Sequence, residues 1–145
     1  MKVSECMTRD VHTINPDMTI QEAARIMAEF DTGALPVDDK DRIVGMLTDR
    51  DIAVRAVCQG RGPKTQVREV MSQETKYCYE DEDINHVARN MADIQVRRLP
   101  VMDRSKRLVG IIALGDIAAS ADAKISGEAL EGISRPGGQH SQATH

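Results

Sequence analysis

Thr48 and Asp51 stand three residues apart in the run Gly45, Met46, Leu47, Thr48, Asp49, Arg50, Asp51, where an apolar strand pattern gives way to a helical one. A hydroxyl and a carboxylate at the first turn of a helix face the end where backbone N–H groups have no intrahelical partner. Such a corner can serve a nucleotide. The carboxylate accepts from the two ribose hydroxyls, and the hydroxyl with the helix N-terminus holds a phosphate or sugar oxygen. The same residues also spell a capping box, in which S/T-x-x-D closes the helix start on itself. Other groupings are poorer in chemistry. His12 and His86 have no Ser or Cys with an acid beside them to make either a general base. Residues 60–65 lack the glycine spacing of a phosphate loop, and Pro63 donates no N–H. Cys6, Cys58 and Cys78 form no C-x-x-C, so they read as reduced, buried thiols rather than disulfides or a zinc site. His140 and His145 lack partner ligands at metal spacing and read as part of a solvated tail. No catalytic residue and no metal is expected.

The corner is positioned by a unit that the chain contains twice. Leu35, Pro36 and Val37 recur 64 residues later as Leu99, Pro100 and Val101, and Ile20, Ala24, Arg25 and Met27 recur as Ile84, Ala88, Arg89 and Met91. Downstream the offset becomes 65, since Arg42, Val44, Gly45, Asp51 and Ile52 match Arg107, Val109, Gly110, Asp116 and Ile117. The turn between the two strands is therefore one residue longer in the second copy. Each copy reads β-α-β-β-α, which makes the fold class α/β (α+β): two repeats related by pseudo-twofold symmetry. In the first, a short strand near Val11 to Ile14 ends at Asn15 and Pro16. A helix follows with Ile20, Ala23, Ala24, Met27 and Phe30 on its apolar face, a Thr19–Glu22 capping box at its start and Gly33 at its end. Strands then flank a polar turn at residues 38–41, and a second helix runs over residues 49–58. The expected boundaries are a first repeat at 1–59, a linker at 60–66, a second repeat at 67–123 and a flexible tail at 124–145.

Bulk properties narrow the function. With 19 Lys and Arg against 23 Asp and Glu, the net charge of −4 provides no electrostatic footprint for nucleic acid. Phe30, Tyr77 and Tyr79 are the only aromatics, too few for a base-stacking platform. No apolar run reaches membrane-spanning length and no secretory signal pattern is present, so a cytoplasmic protein is expected.

A leading strand and turn, then L-P-V, then G-h-h-T-x-x-D, given twice over about residues 3–123, resembles the tandem cystathionine-β-synthase (CBS) domain pair, or Bateman module. The resemblance implies repeats packed sheet to sheet, with two clefts for adenosine-containing ligands: AMP, ADP, ATP or S-adenosylmethionine. It implies that Thr48 and Asp51 hold the ribose and that Gly45, Met46 and Leu47 lie along the ligand. Lys76, Tyr77 and Cys78 would flank the base, with Pro100 nearby, and Arg97 and Arg98 would reach the phosphates. The copies differ here. The second reads Gly110, Ile111, Ile112, Ala113, Leu114, Gly115, Asp116, so alanine replaces the hydroxyl, and Arg97 and Arg98 correspond to uncharged Gly33 and Ala34. One good site for a phosphorylated adenosine ligand is expected, beside a weaker cleft built on Thr13, Ile14, Ile111 and Asp116. The resemblance further implies a homodimer that signals to a partner protein and is not an enzyme. The alternative is a dimerising interaction or assembly module with vestigial clefts.

Overall fold

In the computed structural model, which describes residues 1–73, 76–120 and 123–136, α1 spans Ile20–Phe30. Its start is the expected capping box: Glu22 N–H donates to the Thr19 hydroxyl, and Thr19 N–H donates to the Glu22 carboxylate, each at 3.2 Å. The helix ends at Asp31, not Gly33, because Asp31 takes the left-handed conformation (φ 49°) and returns its N–H to the Met27 carbonyl. Strands β1 (Ala34–Asp39) and β2 (Arg42–Thr48) pair antiparallel, with Leu35 opposite Leu47 and Val37 opposite Gly45. Lys40 and Asp41 join them with φ of 53° and 63°, the positive values that a two-residue hairpin turn demands. Helix α2 begins at Asp49–Asp51 and continues as a π-helical stretch, Ile52–Val57.

The described residues divide into two compact units, His12–Thr75 and a second that joins Met1–Val11 to the chain from Lys76 onward. In the first unit Ile20, Ala23 and Met27 pack with Leu35, Val37, Leu47, Val67 and Val70. Burying each large aliphatic side chain is worth about 1.5–3 kcal/mol, so this contact, rather than a lone hairpin's bonds, holds the unit together. The expected strand near Val11 to Ile14 shrinks to one bridged residue, Ile14, which is parallel to Val37. On the far side of the hairpin Ser72 bridges to Met46.

The second unit repeats this plan. β3 (Cys78–Tyr79) runs parallel to β4 (Arg98–Met102), which pairs antiparallel with β5 (Leu108–Ala113), and Thr8 bridges to Ile111 on the far side. Helix α3 covers Ile84–Ile94 and α4 covers Leu114–Ser120. Between β4 and β5 Lys106 alone takes positive φ (63°), and the Asp103 carboxylate accepts from Ser105 and Arg107 N–H, which is how the longer turn closes. Thr8 and Ser72 occupy matching positions, yet each lies in the unit built mainly from the other copy.

Three expectations are corrected. Residues 124–134 are not a loose tail, for α5 spans Ala123–Ser134 and buries Ala129, Gly132 and Ile133. Gly132 meets α3 so closely that a Cβ there would stand 2.5 Å from that of Ala92. The Gln95 carboxamide donates to the Gly132 and Arg135 carbonyls at the helix end (3.0 and 2.6 Å). The remainder of the expected tail, from 137 on, lies outside the described residues. Phe30 leaves the core for the surface, 45% exposed, and stacks on His12 with ring centroids 3.5 Å apart. Of the three thiols only Cys78 is buried; Cys6 is half-buried and Cys58 exposed, and all are free.

Candidate functional site

β2 delivers Thr48 to the start of α2, and the two side chains of interest first satisfy the helix. Asp51 N–H donates to Thr48 Oγ1 at 3.0 Å, and Thr48 N–H donates to Asp51 Oδ2 at 2.9 Å. Gly33 secures the corner from the strand side, accepting from Asp49 N–H at 3.0 Å, and a side chain there would meet the Asp49 carboxylate. The capping box is therefore real, but it does not exhaust either group. The hydroxyl hydrogen of Thr48 and the Oδ1 of Asp51 make no bond among the described residues, and both residues are half-buried. A hydroxyl donor beside a carboxylate acceptor complements a pair of vicinal hydroxyls, each of which both gives and takes a hydrogen bond.

The second corner keeps half of this arrangement. Ala113 N–H donates to Asp116 Oδ2 at 2.9 Å, while Asp116 N–H has no hydroxyl to receive it. Backbone architecture is otherwise shared, since Leu114 N–H donates to the Arg97 carbonyl at 2.9 Å as Asp49 does to Gly33.

The other expected site residues separate by burial. Leu47 is fully buried in its unit's core, so its side chain is unavailable to a ligand. Gly45 is a packing position as well: a Cβ would lie 2.5 Å from the Ser72 carbonyl and 2.9 Å from Met71 Sδ. Gly110 answers to the same need, with Thr8 O at 2.7 Å and Met7 Sδ at 2.8 Å. Met46, half-buried, lies between Gly45 and Leu47 and exchanges both backbone bonds with Ser72. Thr13 is exposed, whereas Ile14 belongs to the core. Ile111 is half-buried and exchanges both backbone bonds with Thr8.

Lys76, Tyr77, Cys78, Arg97, Arg98 and Pro100 all belong to the second unit. Tyr77 is exposed and meets Tyr79 edge-on, and Lys76 is half-buried. Cys78 is core, and burial above all, with Glu82 and Cys6 adding to it, pushes its thiol up to about 12. A thiol held protonated to that degree offers bulk rather than reactivity. Pro100 is buried, and Arg97 and Arg98 are exposed. Among the described residues neither guanidinium has an ion pair or side-chain hydrogen bond, in contrast to Arg104, which grips Asp81 with bonds of 2.9 and 2.7 Å. Arg55 and Ser72 also bear on this corner, and the 64-residue match of Ser72 to Thr8 signals that the segment before each copy's main body has a set place.

Among the described residues no group of three His, Cys, Asp or Glu side chains could hold a metal ion. No helix among them is long and apolar enough to cross a membrane.

Comparison with known proteins gives the family. The CBS domain model matches the chain twice, over residues 3–57 and 67–122. The chain is 45% identical over 133 residues to the CBS domain-containing protein YhcV of Bacillus subtilis, covering 91% of this chain and 94% of that protein. Among solved structures it resembles the CBS domain protein TA0289 of Thermoplasma acidophilum, with a TM-score of 0.82 at 28% identity over 91% of this chain and 75% of that one. It also resembles the CBS domain pair of protein MJ0100, solved in complex with 5′-methylthioadenosine and S-adenosyl-L-methionine. That match has a TM-score of 0.75 at 31% identity, over 82% of this chain and 94% of that one.

Proposed function

This chain belongs to the CBS domain family as a tandem pair, and from that premise we propose that it is a non-catalytic regulatory module for an adenosine-containing ligand. The ligand's ribose is held at the Thr48–Asp51 corner, and AMP, ADP or ATP is preferred to S-adenosylmethionine. The observation that carries this reading is the unspent hydroxyl hydrogen and carboxylate oxygen left after the capping box is made. The adenosyl compounds bound by the MJ0100 pair support the ligand class. Arg97 and Arg98 supply the preference for phosphate: they are exposed, have no partner among the described residues, and a guanidinium fork matches phosphate oxygens. The Asp116 corner, without a hydroxyl, is the weaker site. The module acts in the cytoplasm as a homodimer, and its output is a difference in ligand affinity between two states that a partner protein reads.

Calorimetric titration with AMP, ADP, ATP and S-adenosylmethionine tests this, with stoichiometry recorded per chain. One tight equivalent of a nucleotide is expected. The Arg97→Gln, Arg98→Gln variant should lose roughly tenfold or more in affinity for AMP while S-adenosylmethionine is little affected, as charge-assisted bonds contribute about 1.5–3 kcal/mol each. Failure of all four to bind would select an assembly module in which the Thr48–Asp51 motif is only a helix cap.

A further inference from the structure

After the 3-10 turn Val67–Glu69 the chain returns to the first unit's hairpin along Val70, Met71 and Ser72, and this short segment is pinned twice. Ser72 N–H donates to the Met46 carbonyl at 2.9 Å and Met46 N–H donates to the Ser72 carbonyl at 3.0 Å, an approach that only the bare Cα of Gly45 permits. The second pin is Arg55. Its Nη1 donates to the Val70 carbonyl at 3.2 Å and to the Met71 carbonyl at 3.1 Å. These carbonyls follow the 3-10 turn Val67–Glu69, where a helical segment runs out of internal donors, and one charged nitrogen meets both.

Arg55 stands about one turn beyond Asp51 in the same continuous helix. The element that presents the Asp51 carboxylate therefore also grips the segment lying across β2 at Met46. Two residues further along β2 is Thr48. The loop of contacts closes on itself: Thr48 to Asp51 by the cap, Asp51 to Arg55 by the helix, Arg55 to Met71 by hydrogen bond, Ser72 to Met46 by the bridge, and Met46 to Thr48 by the strand. The matching position in the second copy is Ser120, a side chain too short to make such a reach.

We propose that Arg55 is a positioning residue of the Thr48–Asp51 corner, holding Met46 and Thr48 in place by clamping residues 70–72 onto β2. Its ligand arm rests on the functional reading above, and its structural arm is measured without ligand.

The experiment is amide hydrogen exchange by NMR on the full chain and on the variants Arg55→Met and Arg55→Lys, followed by titration with AMP. Methionine keeps an unbranched apolar stem and removes the guanidinium donors. In Arg55→Met the Met46, Thr48 and Ser72 amides should exchange about tenfold faster while amides of α1 keep their protection, as expected for loss of a charge-assisted bond. Affinity for AMP should fall by a similar factor, and Arg55→Lys should recover part of both. Unchanged exchange at Met46 and Ser72 would overturn the clamp. Faster exchange with unchanged AMP affinity would overturn the positioning role. If the unaltered chain binds no AMP, the ligand reading fails separately, and the Thr48 amide decides the clamp: faster exchange in Arg55→Met upholds it, unchanged exchange overturns it.

Discussion

Replacing Thr48 with alanine turns the first corner into a chemical copy of the second, and the structure says what that costs. Only the bond from Asp51 N–H to Thr48 Oγ1 (3.0 Å) disappears. The return bond survives, because it is donated by backbone: Ala113 N–H reaches Asp116 Oδ2 at the same 2.9 Å as Thr48 N–H reaches Asp51 Oδ2. Loss of one N-cap acceptor should therefore destabilise the protein by about 1 kcal/mol, within the usual range of about 0.5–2 kcal/mol. Ala113→Thr should be stabilising by a similar amount, since it gives Asp116 N–H the acceptor it lacks. The double variant should return close to the starting stability, as the two caps share no residue. Urea unfolding reads this directly: with a slope of about 1–3 kcal/mol/M, a change of about 1 kcal/mol moves the midpoint by roughly 0.3–1 M. Affinity for AMP should fall about tenfold in Thr48→Ala, which deletes the hydroxyl proposed to hold the ribose. Midpoints that shift in the same direction for both single variants, or no loss of affinity in Thr48→Ala, would refute the reasoning.

Three further outcomes follow from close contacts and burial. Gly45→Ala and Gly110→Ala should each destabilise the chain by about 1–3 kcal/mol in the same urea assay, because the new Cβ must displace the carbonyl of Ser72 or Thr8 from 2.5 or 2.7 Å. Gly132→Leu should detach α5 from α3, seen as rapid proteolytic cleavage within residues 123–134, since even a Cβ there stands 2.5 Å from Ala92. Cys78 provides an alkaline pH dependence. Its folded-state pKa of about 12 lies above the ordinary 9.0, so the stability it contributes is complete below pH 9 and is lost as pH rises toward 12. The unfolding midpoint should accordingly fall above pH 9, less steeply in Cys78→Val, and at pH 8 a thiol reagent should label exposed Cys58 well before Cys78.

The parts of the fold that were legible in sequence are those encoded by local pattern repeated at a constant offset. Thr19 and Glu22 announce the start of α1, Lys40 and Asp41 fill a polar turn between alternating apolar residues, and the extra residue in the second turn shows as a slip from 64 to 65. What was not legible depends on contacts between distant segments. α5 docks through Ala129 and Gly132, small residues that carry little hydrophobic contrast, and its end is capped by Gln95, 37 residues before Gly132. Thr8 and Ser72 each join the unit made mostly from the other copy, a pairing that no local propensity records. In the site, Thr48 and Asp51 were recognisable by type and spacing, and so was the cap they form. Leu47 and Gly45 share the motif but face the core and the Ser72 segment, and strand alternation would have separated them from Met46 and Thr48. Helical spacing places Phe30 on the apolar face, yet it follows the last buried turn and stacks on His12 instead.

The central claim, one competent adenosyl site at Thr48–Asp51, is tested most directly by comparing Asp51→Asn with Asp116→Asn in calorimetric titrations against AMP. Asparagine keeps a carbonyl oxygen for the helix cap and removes the charge, so both variants should fold. The account predicts about one equivalent of AMP per chain in the unaltered protein and in Asp116→Asn, with affinity reduced more than tenfold in Asp51→Asn. Equal affinity in Asp51→Asn and the unaltered protein, or loss confined to Asp116→Asn, would contradict it.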